Sequence, residues 1–313
     1  MSLAKNIGSR LAARAMARRT YRPEDALQIF SSPRGGSTWL MGMLAQLPGV
    51  ACVWEPLHER RGVVPNSWGS RPHPEALTPA DMDVLEQVLS GNLANAWTCS
   101  RTTLREAREA DQLLIKYVRA NSLLPKMLER WDFRHKPILL MRHPWDVVQS
   151  QVRAFGPRPM DLRVEQAYAG HRQIQERWAT IQAEPDPCVR QLHLWCLLNA
   201  PIWKSCADDP AVVSVDYHDL VLDPEGGLID VLEQLQWQAP ERSDWTPKDF
   251  VAGLNARAGS DTDFRGDYLQ NQQDQLWKNL RRLTPERRAS LQNVLDSHGV
   301  TRYVMDDIRP QMP

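Results

Sequence analysis

No stretch of the 313-residue chain approaches the ~18 consecutive apolar residues that a membrane span needs, and no signal-peptide-like apolar core follows its start. The sequence therefore reads as that of a soluble, cytoplasmic protein. Neither sign of charge is in excess: 38 Lys and Arg stand against 38 Asp and Glu, so no global field draws in nucleic acid and any anion binding must be local. Cysteines are few and odd in number, at positions 52, 99, 188, 196 and 206. They form neither a Cys-x-x-Cys pair nor a His/Cys ligand cluster, which argues against structural zinc and for a reducing compartment. Also missing is the Gly-x-x-x-x-Gly-Lys-Ser/Thr loop that holds ATP and magnesium.

What is present suffices for a substantial core. Hydrophobic residues make up 42% of the chain, with 12 Trp, which fits one enlarged α/β domain over residues 23–313 and no independent second domain. Residues 1–22 carry Lys5, Arg10, Arg14, Arg18, Arg19 and Arg22 without an acidic residue. Their Arg10/Arg14/Arg18 stripe overlaps Leu3/Ile7/Leu11 on a helical wheel, so this segment is expected to be a loosely ordered basic arm. Helical spacing covers Thr78 to Trp97, Asp161 to Gln182, Val189 to Cys206 and Asp223 to Trp237, and Thr284-Pro285-Glu286 opens a last helix. Trp195, Trp203 and His193 read as core rather than ligands.

The most informative stretch is Ser31-Ser32-Pro33-Arg34-Gly35-Gly36-Ser37-Thr38-Trp39-Leu40, between an expected strand, Leu27 to Ser32, and a helix from Thr38. Gly35 and Gly36 let backbone N–H groups turn inward, Ser37 and Thr38 add hydroxyls, the helix N-terminus adds partial positive charge, and Arg34 a full one. All of these favour a bound phosphate or sulfate. The loop resembles the 5′-phosphosulfate loop of sulfotransferases, Pro-Lys/Arg-Ser-Gly-Thr/Ser-Thr/Ser-Trp/Leu, with Gly35 standing where serine is usual.

A second stretch, Pro137 to Ser150, runs Pro-Ile-Leu-Leu-Met-Arg-His-Pro-Trp-Asp-Val-Val-Gln-Ser: an apolar strand ending in Arg142, Pro144 opening a helix, and Ser150 two turns on. It is similar to the same family's 3′-phosphate motif, Arg-x-Pro-x-Asp-x-x-x-Ser. Arg142 can fork onto a phosphate, and Ser150 can reach the same group. A third, Val212 to Glu225, is similar to the family's strand-Tyr-Glu-Asp-Leu-x-x-Asp-Pro segment, with His218 where glutamate is usual.

The resemblance implies a P-loop-NTPase-like three-layer fold, a central parallel sheet flanked by helices. It also implies 3′-phosphoadenosine 5′-phosphosulfate (PAPS) as co-substrate and no metal. Arg34, Gly35, Gly36, Ser37 and Thr38 would hold the 5′ side, Arg142 and Ser150 the 3′-phosphate, and Trp39 and Tyr217 would lie near adenine. Relatives place a glutamate base at the end of the next strand, often as Glu-Pro-Leu, and here Trp54-Glu55-Pro56-Leu57 stands there. Glu55 is thus the expected base, with His58 as rival. A free Glu, with pKa about 4.3, is a weak base for an alcohol, so Trp54 and burial are expected to raise it. Lys116, at the end of the strand from Asp111, is expected to share with Arg34 the stabilisation of the transferring charge.

The acceptor would be a small-molecule, glycan or peptide hydroxyl, entering over Arg60 to His73, where Arg60, Arg61, Arg71, His73 and Trp68 are candidates for recognition. Ser260 and Arg265 are weaker candidates for donor contacts. Two other classes stay open: a P-loop nucleotide kinase or NTPase, and a nucleotide- or sulfated-ligand-binding protein without turnover.

Overall fold

The computed structural model describes residues 3–156, 167–238 and 272–311, in which five strands form one all-parallel sheet flanked by helices. They are β1 Leu27–Ser31, β2 Val50–Trp54, β3 Gln112–Tyr117, β4 Ile138–Met141 and β5 Val213–Asp216, in spatial order β2-β3-β1-β4-β5. This is the α/β architecture that the sequence predicts. β1 and β4 are buried at every position, as expected of strands covered on both faces, which show apolar runs rather than alternation. Register decides which side chains meet at the carboxyl edge: Lys116 is level with Trp54 on one side and Ile29 on the other. In such sheets ligands gather beyond the carboxyl ends of the strands, where the loops from all five elements converge.

The helices begin where short-range signals place them. Helix α1 spans Leu3–Met16, α2 Ser37–Leu44 and α3 Pro79–Leu89. A capping box between Thr78 and Asp81 starts α3, and the chain turns through left-handed Gly91 well before Trp97. Then come α4 Leu104–Glu109, α5 Leu124–Arg130, α6 Pro144–Phe155, α7 Arg172–Ala183 and α8 Pro187–Cys206. The Asp186 carboxylate caps α8 by accepting from Cys188 N–H at 2.7 Å. Trp195 and Trp203 are buried, edge to face at 4.7 Å, while His193 is only half-buried and bonds His298 at 2.8 Å. Helices α9 Tyr217–Leu222, α10 Pro224–Gln234, α11 Gln272–Arg281 and α12 Pro285–Ser297 complete the described chain. The start of the helix expected from Asp161, and Ser260 and Arg265, lie outside the described residues.

The N-terminal segment corrects the expectation of a loose arm. Residues 3–16 are helical, with Ala12, Ala13 and Met16 buried and α4 as neighbour. The wheel failed because the packing face is made mostly of small residues, Ser9, Ala12 and Ala13, closed by Met16, whereas Ile7 and Leu11 stay exposed. Among the described residues no helix is long and apolar enough to cross a membrane.

Candidate active site

The loop after β1 takes its shape from its glycines. Gly36 is left-handed, φ +100°, and caps α2, so that the N–H groups of Ser37 and Thr38, for which a helix's first turn has no carbonyl, emerge at its N-terminus. A Cβ on Gly36 would lie 2.2 Å from Tyr217 Cδ2. Gly36→Ala is therefore expected to cost about 2–4 kcal/mol, from left-handed strain plus overpacking, which a urea melt would read. An unchanged midpoint would mean that the loop is not held as described. Gly35 is as constrained: a Cβ there would meet Ser31 Oγ at 2.3 Å and Ser32 O at 2.9 Å. With Ser31 filling that space, the serine usual at this place has no room.

Among the described residues three non-glycine residues have left-handed backbone: Arg34 at φ +69°, Glu55 at +41° and Gln236 at +52°. Two of the three are site residues named from the sequence. Such backbone costs an L-residue about 1–2 kcal/mol and persists where the surroundings fix it, often at functional sites.

Around this loop the structure forms two groups. The first contains Arg34, Arg142, Ser150, Tyr217 and Trp39. Arg34 Nε donates to Ser150 Oγ at 3.0 Å, and Arg142 Nη1 donates to Arg34 O at 3.3 Å. The Arg142 guanidinium lies 4.4 Å over the Tyr217 ring, and Trp39 meets that ring edge-on at 6.1 Å. Burial lowers the Arg34 pKa first, and the charges of Arg142 and Arg153 lower it further. Lys278 is lowered in the same way, by burial and then by Arg153, against the opposing pull of Asp146 and with a further push from Arg142. Repulsion of this kind among cations is what a bound anion would relieve. Sequence reasoning missed Arg153 and Lys278, because neither belongs to a motif.

Behind Arg142, Asp146 is fully buried; its Oδ2 lies 3.6 Å from Arg142 Nη2 and its Oδ1 accepts from Asn279 Nδ2 at 2.7 Å. Burial would raise its pKa, yet His218, Arg142, His143 and Asn279 together bring it down to about 2. His143 is neutral, its pKa pushed down to about 4 by burial; Nδ1 accepts from Trp145 N–H, which leaves Nε2–H to donate to Val304 O.

The second group contains Glu55, Lys116 and Thr38. Lys116, 1% exposed, donates from Nζ to Glu55 Oε1 at 2.9 Å and to Thr38 Oγ1 at 3.3 Å, and sits 3.4 Å over the Trp54 ring. Arg119 Nη1 approaches Glu55 Oε2 at 3.5 Å. Burial lowers the Lys116 pKa to about 8, although Glu55 pulls the other way. The expected rise of the Glu55 pKa is corrected here. Burial does push it up, but Lys116 and Arg119 outweigh that push and hold it below the usual carboxylate range. Arg119, three residues beyond Lys116, was missed, because nothing local marks a strand-end arginine as a carboxylate partner.

The structure thus brings Glu55, Lys116 and Thr38 together, and separately Arg34, Arg142, Ser150, Tyr217 and Trp39; it turns the Arg34 side chain toward the second of these sets. His58 holds local structure instead: its Nδ1 accepts from Arg60 N–H at 3.2 Å, and burial lowers its pKa. Trp68 is buried and donates to Asp81 Oδ1 at 2.6 Å, so it anchors its loop. Arg71 is tied to Val118 O at 2.6 Å, and the His73 ring lies 4.5 Å from that of His171.

No protein-family model and no curated protein matches the chain. Solved structures similar to it include sulfotransferases. They include mouse sulfotransferase SULT7A1 complexed with PAP, 11% identical, covering 93% of this chain and 89% of that chain at a TM-score of 0.43. A sulfotransferase domain from the curacin biosynthetic pathway is 17% identical, covering 87% of this chain and 96% of that one at a TM-score of 0.45. The sulfotransferase domain of a Synechococcus olefin synthase is 19% identical, covering 88% and 95% at a TM-score of 0.40.

Proposed function

We propose that the protein is a sulfotransferase that moves the sulfuryl group of PAPS to an acceptor hydroxyl. One observation carries this reading: a single buried ammonium, Lys116 Nζ, bonds both the candidate base Glu55 and the hydroxyl of Thr38 on the anion loop. Base, cation and anion loop therefore meet at one point, as in-line transfer between a held donor and an activated hydroxyl requires.

In this reading Arg142, Ser150 and Arg34 hold the 3′-phosphate, the Gly35–Thr38 loop holds the 5′ side, and Trp39 and Tyr217 flank the adenine. The acceptor oxygen attacks sulfur; its bond to sulfur forms as the bond from sulfur to the 5′-phosphate oxygen breaks, and that electron pair leaves with adenosine 3′,5′-bisphosphate. The hydroxyl proton passes to the Glu55 carboxylate. A carboxylate kept ionised is adequate here, because the hydroxyl becomes acidic as its oxygen bonds to sulfur. Lys116 offsets the charge on the sulfuryl and leaving oxygens, much as cations do in phosphoryl transfer.

The pH dependence tests the roles. The lowered Glu55 pKa keeps the base ionised throughout neutrality, so no acid limb appears near pH 6–7, while loss of the Lys116 proton removes the stabilising charge above about pH 8. Release of adenosine 3′,5′-bisphosphate from PAPS with a mixture of hydroxyl acceptors should be level from pH 6 to 7.5. It should then fall about tenfold per pH unit well above 8, and Lys116→Arg should remove that fall. A rate still climbing between pH 8 and 9.5 contradicts the assignment.

A further inference from the structure

A cleft of about 890 Å³ opens between α1 and the segment from Ala94 to Arg101. Through Trp54, Ser100 and Arg101 it joins a second chamber of about 600 Å³ that reaches Thr38 and the side of α2. Its lining is cationic. Arg10 and Arg14 project from α1, Arg61 lies 4.9 Å over the Trp97 ring, and Arg101 lies 4.8 Å over the Trp54 ring. Among the described residues no carboxylate lines the first chamber, and the second has only Glu106, whose Oε2 accepts from Thr103 N–H at 2.8 Å. Among the described residues no ion pair holds Arg10, Arg14 or Arg61, and the Trp97 indole N–H has no hydrogen-bond partner. Two basic residues of the N-terminal segment, Arg10 and Arg14, are thereby built into a cavity wall.

From this we infer that the cleft is the acceptor site and that it takes a carboxylate-bearing hydroxyl compound of two or three rings. The inference rests on the sulfotransferase reading for the word acceptor, but on the cavity alone for the ligand class. The volume suits a ligand larger than a single ring. Arginine forks match carboxylates in pairs, and arginines already stacked on indole rings are held in place for such contacts. Trp54 lines both chambers, and Lys116 Nζ, which donates to Glu55 at 2.9 Å, lies 3.4 Å from the centre of its ring. Glu55 and Lys116 do not themselves line either chamber, but the second chamber reaches Thr38 on the anion loop, the hydroxyl to which Lys116 donates at 3.3 Å, so a ligand hydroxyl at that end adjoins the loop that would hold the donor.

The test is calorimetry on the full chain saturated with adenosine 3′,5′-bisphosphate, titrated with trigalacturonate, with chlorogenate and with neutral maltotriose. At least one of the two carboxylates should bind ten times or more tighter than maltotriose, and which one does so tells an acidic sugar from a phenolic acid. The Arg10→Gln/Arg14→Gln pair should remove most of that preference while the bisphosphate affinity stays as in the wild type. Both arginines are exposed, so folding should be unaffected; Arg61→Gln, on a different segment, is expected to have the same effect and decides the matter if the pair fails to fold. No preference for carboxylate, or a preference that survives these substitutions, overturns the inference. Failure of the bisphosphate to bind overturns the sulfotransferase reading instead, and the same titrations on unliganded protein still decide what the cleft takes.

Discussion

Glu55→Gln is expected to lower turnover of PAPS by about 10³-fold, within the range that loss of a general base brings, while leaving donor affinity within a few-fold of wild type. The amide keeps the shape of the side chain and its acceptor oxygen toward Lys116, but it cannot take the hydroxyl proton. Rapid-quench turnover alongside bisphosphate calorimetry separates the two effects. Retained binding with lost turnover distinguishes an enzyme from a silent binding protein. Near-normal turnover would remove Glu55 from the mechanism and return attention to His58. That histidine is already engaged with Arg60 N–H, so His58→Gln is expected to change the rate far less.

Arg142→Ala carries the second large effect. Two charge-assisted bonds to a phosphate are worth about 3–4 kcal/mol, which corresponds to ~10²–10³ in dissociation constant. The loss should be specific to the 3′-phosphate. The wild type should prefer adenosine 3′,5′-bisphosphate to AMP by at least that factor, and the variant should keep only the part of the preference that Arg34 and Ser150 supply. Arg142→Lys, which keeps the charge but not the fork, is expected to recover only part of it. A variant whose preference for the bisphosphate equalled that of the wild type would place the 3′-phosphate elsewhere. Some stability is also lost, since Asp146 is fully buried and Arg142 is one of the groups that hold it ionised.

The parts of this site that were legible in the sequence are those with local signatures. A strand running into Gly35-Gly36, a proline at the first turn of α6 and the Glu-Pro-Leu after β2 each fix backbone over a few residues, and those residues stand where the motifs put them. What was not legible depends on register between strands far apart in the chain. Lys116 meets Glu55 across 61 residues, and Arg34 meets Ser150 across 116. The direction of the Glu55 pKa was misjudged for this reason: burial can be guessed from Trp54, whereas the two cations that outweigh it come from β3 and the residues just after it. The same holds for α1, whose small-residue face means nothing until α4 lies against it. Arg101, on a turn after Trp97, has no sequence signal that would join it to Trp54.

The most direct measurement is calorimetric competition between adenosine 3′,5′-bisphosphate and ATP with magnesium on the wild-type chain. Arg34 and Arg142 meet at a loop without the Gly-Lys-Ser/Thr sequence, which predicts binding of the bisphosphate at least about 100-fold tighter than ATP with magnesium. Equal affinities, or a preference for ATP with magnesium, would contradict the assignment of this site to a sulfuryl donor.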